Sequence, residues 1–267
     1  MRLLITKHNI GKLAAQYICN KINEFKPTAD KPFVLGLPTG STPISMYQQL
    51  IEFYKEKKLS FEYVITFNMD EYVGLPESHD QSYHYYMFNN FFNHIDIKHN
   101  NIHILNGNAA NLEEECKLFE AKIKQVGGIH LFIGGVGEDG HLAFNEPLSS
   151  LVSRTRIKKL NYSTILANSR FFDNKIELTP STALTVGIQT VLDAQTIIIL
   201  AEGMKKSHAV AEAIEGPISS AYPITALQLH DRASIICDDL AAYELRLKTI
   251  RYFENVRDEF YELESSI

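Results

Sequence analysis

The sequence predicts an α/β fold, a single-domain, Rossmann-like open sheet, mostly parallel, with helices on both faces, spanning residues 1–267. Three observations predict it. Short runs such as Phe33-Val34-Leu35-Gly36-Leu37 are apolar at every position, as strands buried on both faces must be. These runs alternate with longer stretches whose apolar residues recur at helical spacing. Several runs break at glycine or proline into turns that carry polar and ionisable residues, as strand ends in α/β folds do.

Taken in order, Arg2–Ile5 reads as a first strand and Ile10–Phe25 as a helix, with Ala14, Tyr17, Ile18, Ile22 and Phe25 on one face. A loop over residues 26–32 leads to the strand Phe33–Leu37. Thr42 is a natural N-cap and Pro43 a natural first helical residue for a helix presenting Ile44, Tyr47, Leu50, Ile51 and Tyr54 on one side. A strand over 63–68, an aromatic-rich helix over 82–95, a strand over 102–105 and an amphipathic helix over 111–126 follow. His84 and His94, ten positions apart, offer no chelating pair and read as packing or surface residues. Residues 129–133 form the next buried strand. Arg154, Arg156 and Lys158 alternate, so on a strand they share one face. Beyond them a helix is expected over 179–192, strands over 196–200, 224–229 and 234–237, a helix ending near Glu215, and a closing helix over 243–260. No repeat, low-complexity tract or domain boundary interrupts the chain.

Composition narrows the function classes. An apolar content of 45% supports a proper core. A net charge of −6 argues against a general nucleic-acid binder, and an acidic chain holds an anionic ligand only in a locally basic, glycine-lined pocket. Cys19, Cys116 and Cys237 are odd in number, widely spaced and form no C-x-x-C, which excludes a zinc knuckle or disulfide framework and fits a reducing compartment. The first residues lack the apolar core and small-residue cleavage site of a signal peptide, and no stretch approaches the ~20 apolar residues of a membrane span. A cytoplasmic location is expected.

The chemistry concentrates in three places. The stretch 129–147 runs from a buried strand through Gly134-Gly135 into a loop carrying Asp139, His141 and Glu146. Carboxylates on either side of His141 would orient the imidazole and favour its charged form. Gly135, Gly137 and Gly140 fit G-x-G-x-x-G, but the fingerprint requires a helix directly afterwards, and Pro147 cuts one off; a nicotinamide cofactor is not expected. Asp70 and Glu71 directly follow the strand over 63–68, flanked by Phe67, Met69, Tyr72 and Val73, apolar neighbours that raise a carboxyl pKa and make a better base. Gly40, Ser41 and Thr42 precede a helix N-terminus, an anion site by virtue of free backbone N–H groups, although a capped βα turn looks the same; the Walker pattern is absent. Arg170, between apolar neighbours, calls for an acidic or phosphate partner, and Lys205 or Lys206 can reach one. The basic strand with Ser149, Ser150 and Lys159 reads either as a second anion pocket or as a solvated, lysine-protected edge, and the residues alone favour the edge.

Set side by side, FVLGLPTGSTP, VITFNMDEYVGLP, GGVGEDGHLAFNEP, SLVSRTRIKKL and ANSRFFDN give the chain a resemblance to the glucosamine-6-phosphate deaminase (glucosamine-6-phosphate isomerase) family, running from Met1 to Phe253. The resemblance implies conversion of glucosamine 6-phosphate and water to fructose 6-phosphate and ammonia, in amino-sugar catabolism, with neither metal nor organic cofactor. It implies Asp70 as the base that moves the C2 proton towards C1. It makes His141 the acid/base group of ring opening, supported by Asp139 and Glu146. Gly40, Ser41, Thr42, Arg170 and Lys206 match the positions that hold the sugar phosphate. Bacterial members resembling this chain are often homohexamers activated by N-acetylglucosamine 6-phosphate, and Ser149, Arg156, Lys158 and Tyr252 match that effector site, which reverses the reading of the basic strand. Lys159, within the same segment, stands where an uncharged residue is expected. Ala221-Tyr222-Pro223 replaces a His-Met-Trp common in the family; both departures bear on the allosteric response rather than the chemistry. Two rivals are weaker. A 6-phosphogluconolactonase-like hydrolase would share fold and pocket but has no C2 proton for Asp70 to move. A sugar-phosphate-sensing repressor would need a DNA-binding segment, for which no room precedes the strand at Arg2.

Overall fold

The computed structural model describes residues 1–256. Strand β1 (Arg2–Ile5) leads to helix α1 (Ile10–Phe25), β2 (Phe33–Leu37), α2 (Ile44–Lys55) and β3 (Val64–Asn68). Next come β4 (Asp70–Tyr72), α3 (Tyr83–Asn90), β5 (Ile102–His103), α4 (Leu112–Gln125) and β6 (Leu131–Gly135). The remainder comprises β7 (Arg156–Lys159), α5 (Tyr162–Asn168), β8 (Thr182–Thr185), α6 (Ile188–Leu192), β9 (Ile197–Ala201), α7 (Ser207–Glu215), β10 (Ala233–Cys237) and α8 (Leu247–Asn255). Seven strands form one parallel sheet in the order β1-β10-β9-β6-β2-β3-β5. The other three form an antiparallel sheet in the order β4-β8-β7.

Because side chains alternate along a strand, each all-apolar strand feeds two cores. Val34, Phe132, Ile197, Ile199 and Ile235 face one side, where α4, α6 and α7 cover them with Phe119, Ile123, Val191, Val210 and Ala213. Leu35, Leu37, Leu131, Ile133, Ile198 and Ile236 face the other, against α1 and α2 through Leu13, Ile18, Met46, Tyr47 and Leu50. The expected open parallel sheet with helices on both faces is what forms.

Sequence order runs outward from β2 through β3 to β5, then returns to β6 beside β2 and proceeds the other way to β9 and β10. The direction therefore reverses between β2 and β6. Diverging connections leave a crevice at the carboxyl ends of such a pair, the usual ligand position in open α/β sheets.

Four expectations fail locally. The helix anticipated over 179–192 is instead β8 followed, after Gly187, by the short α6. The reason is tertiary: Thr182–Thr185 lies between β4 and β7 and satisfies backbone groups on both sides. The strand anticipated over 224–229 is a 3₁₀ helix, Pro223–Leu229, with proline at its start; Ile224, Ala226 and Leu227 cover the sheet rather than join it. Thr42 does not cap α2. Pro43 occupies the cap position with no side-chain hydrogen bond, because Ile44 N–H turns back to Ser41 O (3.3 Å) and the helix begins one residue later. The closing helix begins at Leu247 rather than 243, and its expected extension to 260 lies partly outside the described residues.

Gly36 shows how tightly β2 and β6 meet. A Cβ there would lie 2.6 Å from Cγ of the buried Phe132 ring. Gly36→Ala should therefore cost about 1–3 kcal/mol by overpacking. In urea denaturation this appears as a lower midpoint at unchanged slope.

Candidate active site

The loops after β2, β3, β6 and β9 converge at the switch point. The chain leaves the large sheet after Asn68 and enters the small one at Asp70, with Met69 stitching the two: its N–H donates to Leu37 O (3.2 Å) and its carbonyl accepts from Val186 N–H (2.8 Å). Asp70 is thus drawn into β4, opposite Thr185, and is buried. Burial, reinforced by the neighbouring Glu71 carboxylate, pushes its pKa up to about 8.

Glu71 is placed differently. Its side chain accepts from the backbone N–H groups of Tyr72 (2.8 Å), Tyr83 (3.0 Å) and His84 (2.8 Å), binding β4 to the first turn of α3. Two adjacent carboxylates in sequence therefore divide into one held by backbone N–H groups and one buried without them. Tyr72 and Tyr83, packed on each other and on Phe144, wall the buried side.

After β6 the chain turns tightly. Gly137 N–H donates to His141 O (2.9 Å), Gly140 N–H to Gly137 O (3.1 Å), and Gly140 takes φ +80°, open to glycine without strain. His141 Nδ1 lies 2.6 Å from Asp139 Oδ1. A proton on Nδ1 shared with the carboxylate leaves Nε2 for other work. Burial works against the Asp139 charge, but the hydrogen bond and charge of His141 outweigh it and hold the carboxyl below its ordinary pKa. The imidazole lies so close to Gly137 that a Cβ there would come within 2.2 Å of its Cε1 and Nδ1. Gly137 is a residue the sequence reading missed: the glycines of the false dinucleotide fingerprint make room for a histidine ring.

Glu146 does not join that pair. Its Oε1 accepts from Asn161 N–H (2.9 Å) and the Thr164 hydroxyl, and its Oε2 lies 3.4 Å from Lys158 Nζ. The second unforeseen residue is Asn145, fully buried, whose amide donates to Leu142 O and Val186 O (both 2.8 Å) and ties the loop to the end of β8. Its cue was position alone, an amide inside an apolar loop.

Groups able to hold an anion lie in the loops after β2 and β9 and at Arg170. Gly40, at φ +104°, hands its carbonyl to Tyr86 Oη (2.6 Å), and the exposed Ser41 and half-buried Thr42 follow before the uncapped first turn of α2. Lys206 ends the 3₁₀ turn before α7; burial lowers its pKa, while Glu138 and Asp139 pull it up and Lys205 and Arg170 push it down. Those influences put Lys206, Arg170 and Asp139 in one neighbourhood. Arg170 is exposed, lies over the Phe171 ring (4.6 Å) and has no ion pair among the described residues. Lys205 bridges to Glu138 (3.4 Å), linking the β9 and β6 loops.

The second basic group is spread over several elements. Arg156 and Lys158 occupy the half-buried face of β7, whereas Lys159 is exposed on the opposite face. Arg154 falls before the strand and is held by Asp193 and Glu120. Ser149 is buried with its hydroxyl unpartnered among the described residues. Tyr252 lies on α8, 64% exposed, packing only on Phe253 in the aromatic contacts of the described residues. No group of three or more His, Cys, Asp or Glu side chains among the described residues is arranged to hold a metal ion. No helix among the described residues is long and apolar enough to cross a membrane.

Residues 6–236 match the family model described as glucosamine-6-phosphate isomerases/6-phosphogluconolactonase. A glucosamine-6-phosphate deaminase of Treponema denticola is 57% identical over 258 residues, covering 96% of both chains. One from Drosophila melanogaster is 55% identical, covering 96% of this chain and 94% of its own. Among solved structures, a monomeric glucosamine-6-phosphate deaminase superposes with a TM-score of 0.86 at 40% identity, covering 92% of this chain and all of its own. A 6-phosphogluconolactonase from Thermotoga maritima superposes at 0.68 with 17% identity over 89% of this chain and 98% of its own, a likeness of fold alone.

The buried Asp70 carboxyl yields a pH test. Unfolded, its pKa returns to about 4, so between pH ~4 and ~8 the folded state binds the extra proton and stability falls as pH rises. Asp70→Asn removes this penalty. Its Tm advantage over the parent should be small near pH 4, grow towards pH 8 and level off above, as differential scanning calorimetry across that range will read.

Proposed function

Because this chain belongs to the glucosamine-6-phosphate deaminase family, we propose that it converts glucosamine 6-phosphate and water to fructose 6-phosphate and ammonia. The observation that carries the reading is Asp70, a buried carboxyl just after β3 with its pKa raised to about 8, together with the His141–Asp139 pair in the loop after β6. An aldose-to-ketose shift needs such a base for a weakly acidic C–H and a second acid/base centre for the ring oxygen.

The steps follow from the side chains. The phosphate lies against Gly40, Ser41, Thr42 and the first turn of α2, with Arg170 and Lys206 supplying charge. His141, oriented by Asp139, moves the proton between the anomeric hydroxyl and ring oxygen, opening the pyranose to the aldehyde. Asp70 then takes the C2 proton, giving an enolamine, and returns it to C1. The resulting C2 imine adds water and expels ammonia, leaving the ketone. Glu146, engaged with Asn161, Thr164 and Lys158, supports ring opening through the loop it braces.

A response to N-acetylglucosamine 6-phosphate belongs to the same reading, with Ser149, Arg156 and Lys158 as anion ligands and Tyr252 reaching them from a neighbouring copy in a homohexamer. The unpartnered Ser149 hydroxyl supports an anion ligand, and the Lys158–Glu146 contact supports communication with the active site. Register supports it too: Asp70 and Arg156 flank the same residue, Thr185, in the small sheet. The exposed apolar side chains of Leu148, Val152, Tyr243 and Leu247 are consistent with self-association. Lys159 belongs to the same candidate effector segment, with its side chain on the opposite, exposed face of β7. A cytoplasmic role in amino-sugar catabolism completes the proposal.

In chelator-treated buffer, glucosamine 6-phosphate should yield ammonia and fructose 6-phosphate in equal amounts, and Asp70→Asn should lower kcat by roughly 10²–10⁴-fold. Hydrolysis of 6-phosphogluconolactone without ammonia release from the amino sugar would favour the lactonase instead. N-acetylglucosamine 6-phosphate should shift the substrate curve to lower concentration, and Arg156→Ala with Lys158→Ala should remove that shift. An unchanged shift in the double variant would refute the effector site.

A further inference from the structure

We propose that Tyr222 is a positioning residue for His141, held against the catalytic loop by a hydrogen-bonded bridge through His208 to Glu244. The inference begins at Gly140, the residue before His141. Ile224 N–H donates to its carbonyl (2.9 Å), and the Tyr222 ring covers its α-carbon so closely that a Cβ would lie 3.2 Å from Tyr222 Cδ1. The turn that aims the imidazole is thus pressed between Gly137 on one side and the Tyr222–Ile224 segment on the other.

Tyr222 is itself fixed at its far end. Its Oη lies 3.0 Å from His208 Nε2, and His208 Nδ1 lies 3.1 Å from Glu244 Oε2. The other Glu244 oxygen accepts from the Ser207 hydroxyl (2.7 Å), and the His208 and Tyr222 rings meet edge to face at 5.3 Å. In a neutral His208 with its proton on Nδ1, every link is satisfied: Nδ1–H donates to the carboxylate and Tyr222 O–H donates to Nε2. A rigid aromatic side chain pinned at both ends holds its ring, and with it the Gly140 backbone, in one place. His208 follows Ser207 and Lys206, so the bridge also joins the start of α7 to the loop of His141.

The geometry separates positioning from folding. His208 and Glu244 are half exposed, where polar pairs contribute little to stability. Their arrangement beside the catalytic turn instead affects a distance-sensitive reaction, in which small displacements of an acid/base group cost rate. The inference rests on the ring-opening role proposed for His141.

Three variants test it: Tyr222→Phe keeps the ring and loses the hydroxyl, His208→Leu breaks the bridge, and His208→Gln retains a bridging amide. Tyr222→Phe and His208→Leu should each lower kcat for glucosamine 6-phosphate by about three- to tenfold while KM changes by less than about twofold. Both should keep the parent Tm within about 2 °C, and His208→Gln should recover most of the rate. In both impaired variants the ¹⁵N resonance of the His141 imidazole should move from its parent position. Parent kcat and an unmoved His141 resonance in Tyr222→Phe and His208→Leu would overturn the inference, as would rate losses that merely track losses of Tm. The resonance needs no turnover, so a parent protein that releases no ammonia defeats the catalytic reading while the resonance still decides the positioning.

Discussion

The exclusion of water from Asp70, where one sheet hands the chain to another, is the constraint on which the site depends. A carboxyl at the end of an ordinary βα turn would be solvated and a weak base. Here Met69 bonds to Leu37 on one side and Val186 on the other, and the chain continues as β4 rather than emerging into solvent. Desolvation of the charged form is costly, and the two apolar cores flanking the parallel sheet supply the rigidity that maintains it. The raised pKa of Asp70 is therefore a property of the sheet junction as much as of the aspartate.

Four carboxylates near the crevice illustrate how environment assigns roles to similar groups. Asp70 is buried against apolar neighbours and becomes a stronger base. Asp139, hydrogen-bonded to His141, is held below its ordinary pKa and orients the ring. Glu71 spends its oxygens on backbone N–H groups and Glu146 on Asn161 N–H, the Thr164 hydroxyl and Lys158, fastening α3 and the segment entering α5 to neighbouring elements. The loop between β6 and Pro147 is thereby braced by Asn145 and Glu146 and shaped by glycines, so that its one imidazole sits against bare backbone at Gly137.

The small antiparallel sheet adds a physical connection between two charged regions. Asp70, Thr185 and Arg156 lie in register across its three strands, and Thr185 also accepts Phe144 N–H from the catalytic loop (3.1 Å). Paired backbone thus runs unbroken from β7 through β8 to β4, with a branch from β8 to the loop. The Lys158–Glu146 contact runs beside that route.

The sequence by itself determined the layered fold, because a strand buried on both faces must be apolar at every position and its covering helices must show a 3.6-residue period. Phe33–Leu37 and Ile10–Phe25 carried those signals without tertiary help. It also singled out the candidate site residues, since Asp70, Asp139 and His141 follow apolar strands, where local pattern and position coincide. The tertiary structure alone decided what was satisfied by partners distant in sequence. Thr182–Thr185 became a strand because β4 and β7 stood on either side, and Pro223–Leu229 became a covering turn rather than a strand. The separation of Glu146 from His141 was likewise decided there. Those outcomes depend on which backbone and side-chain groups are left to pair after the chain has folded, and no local pattern records that.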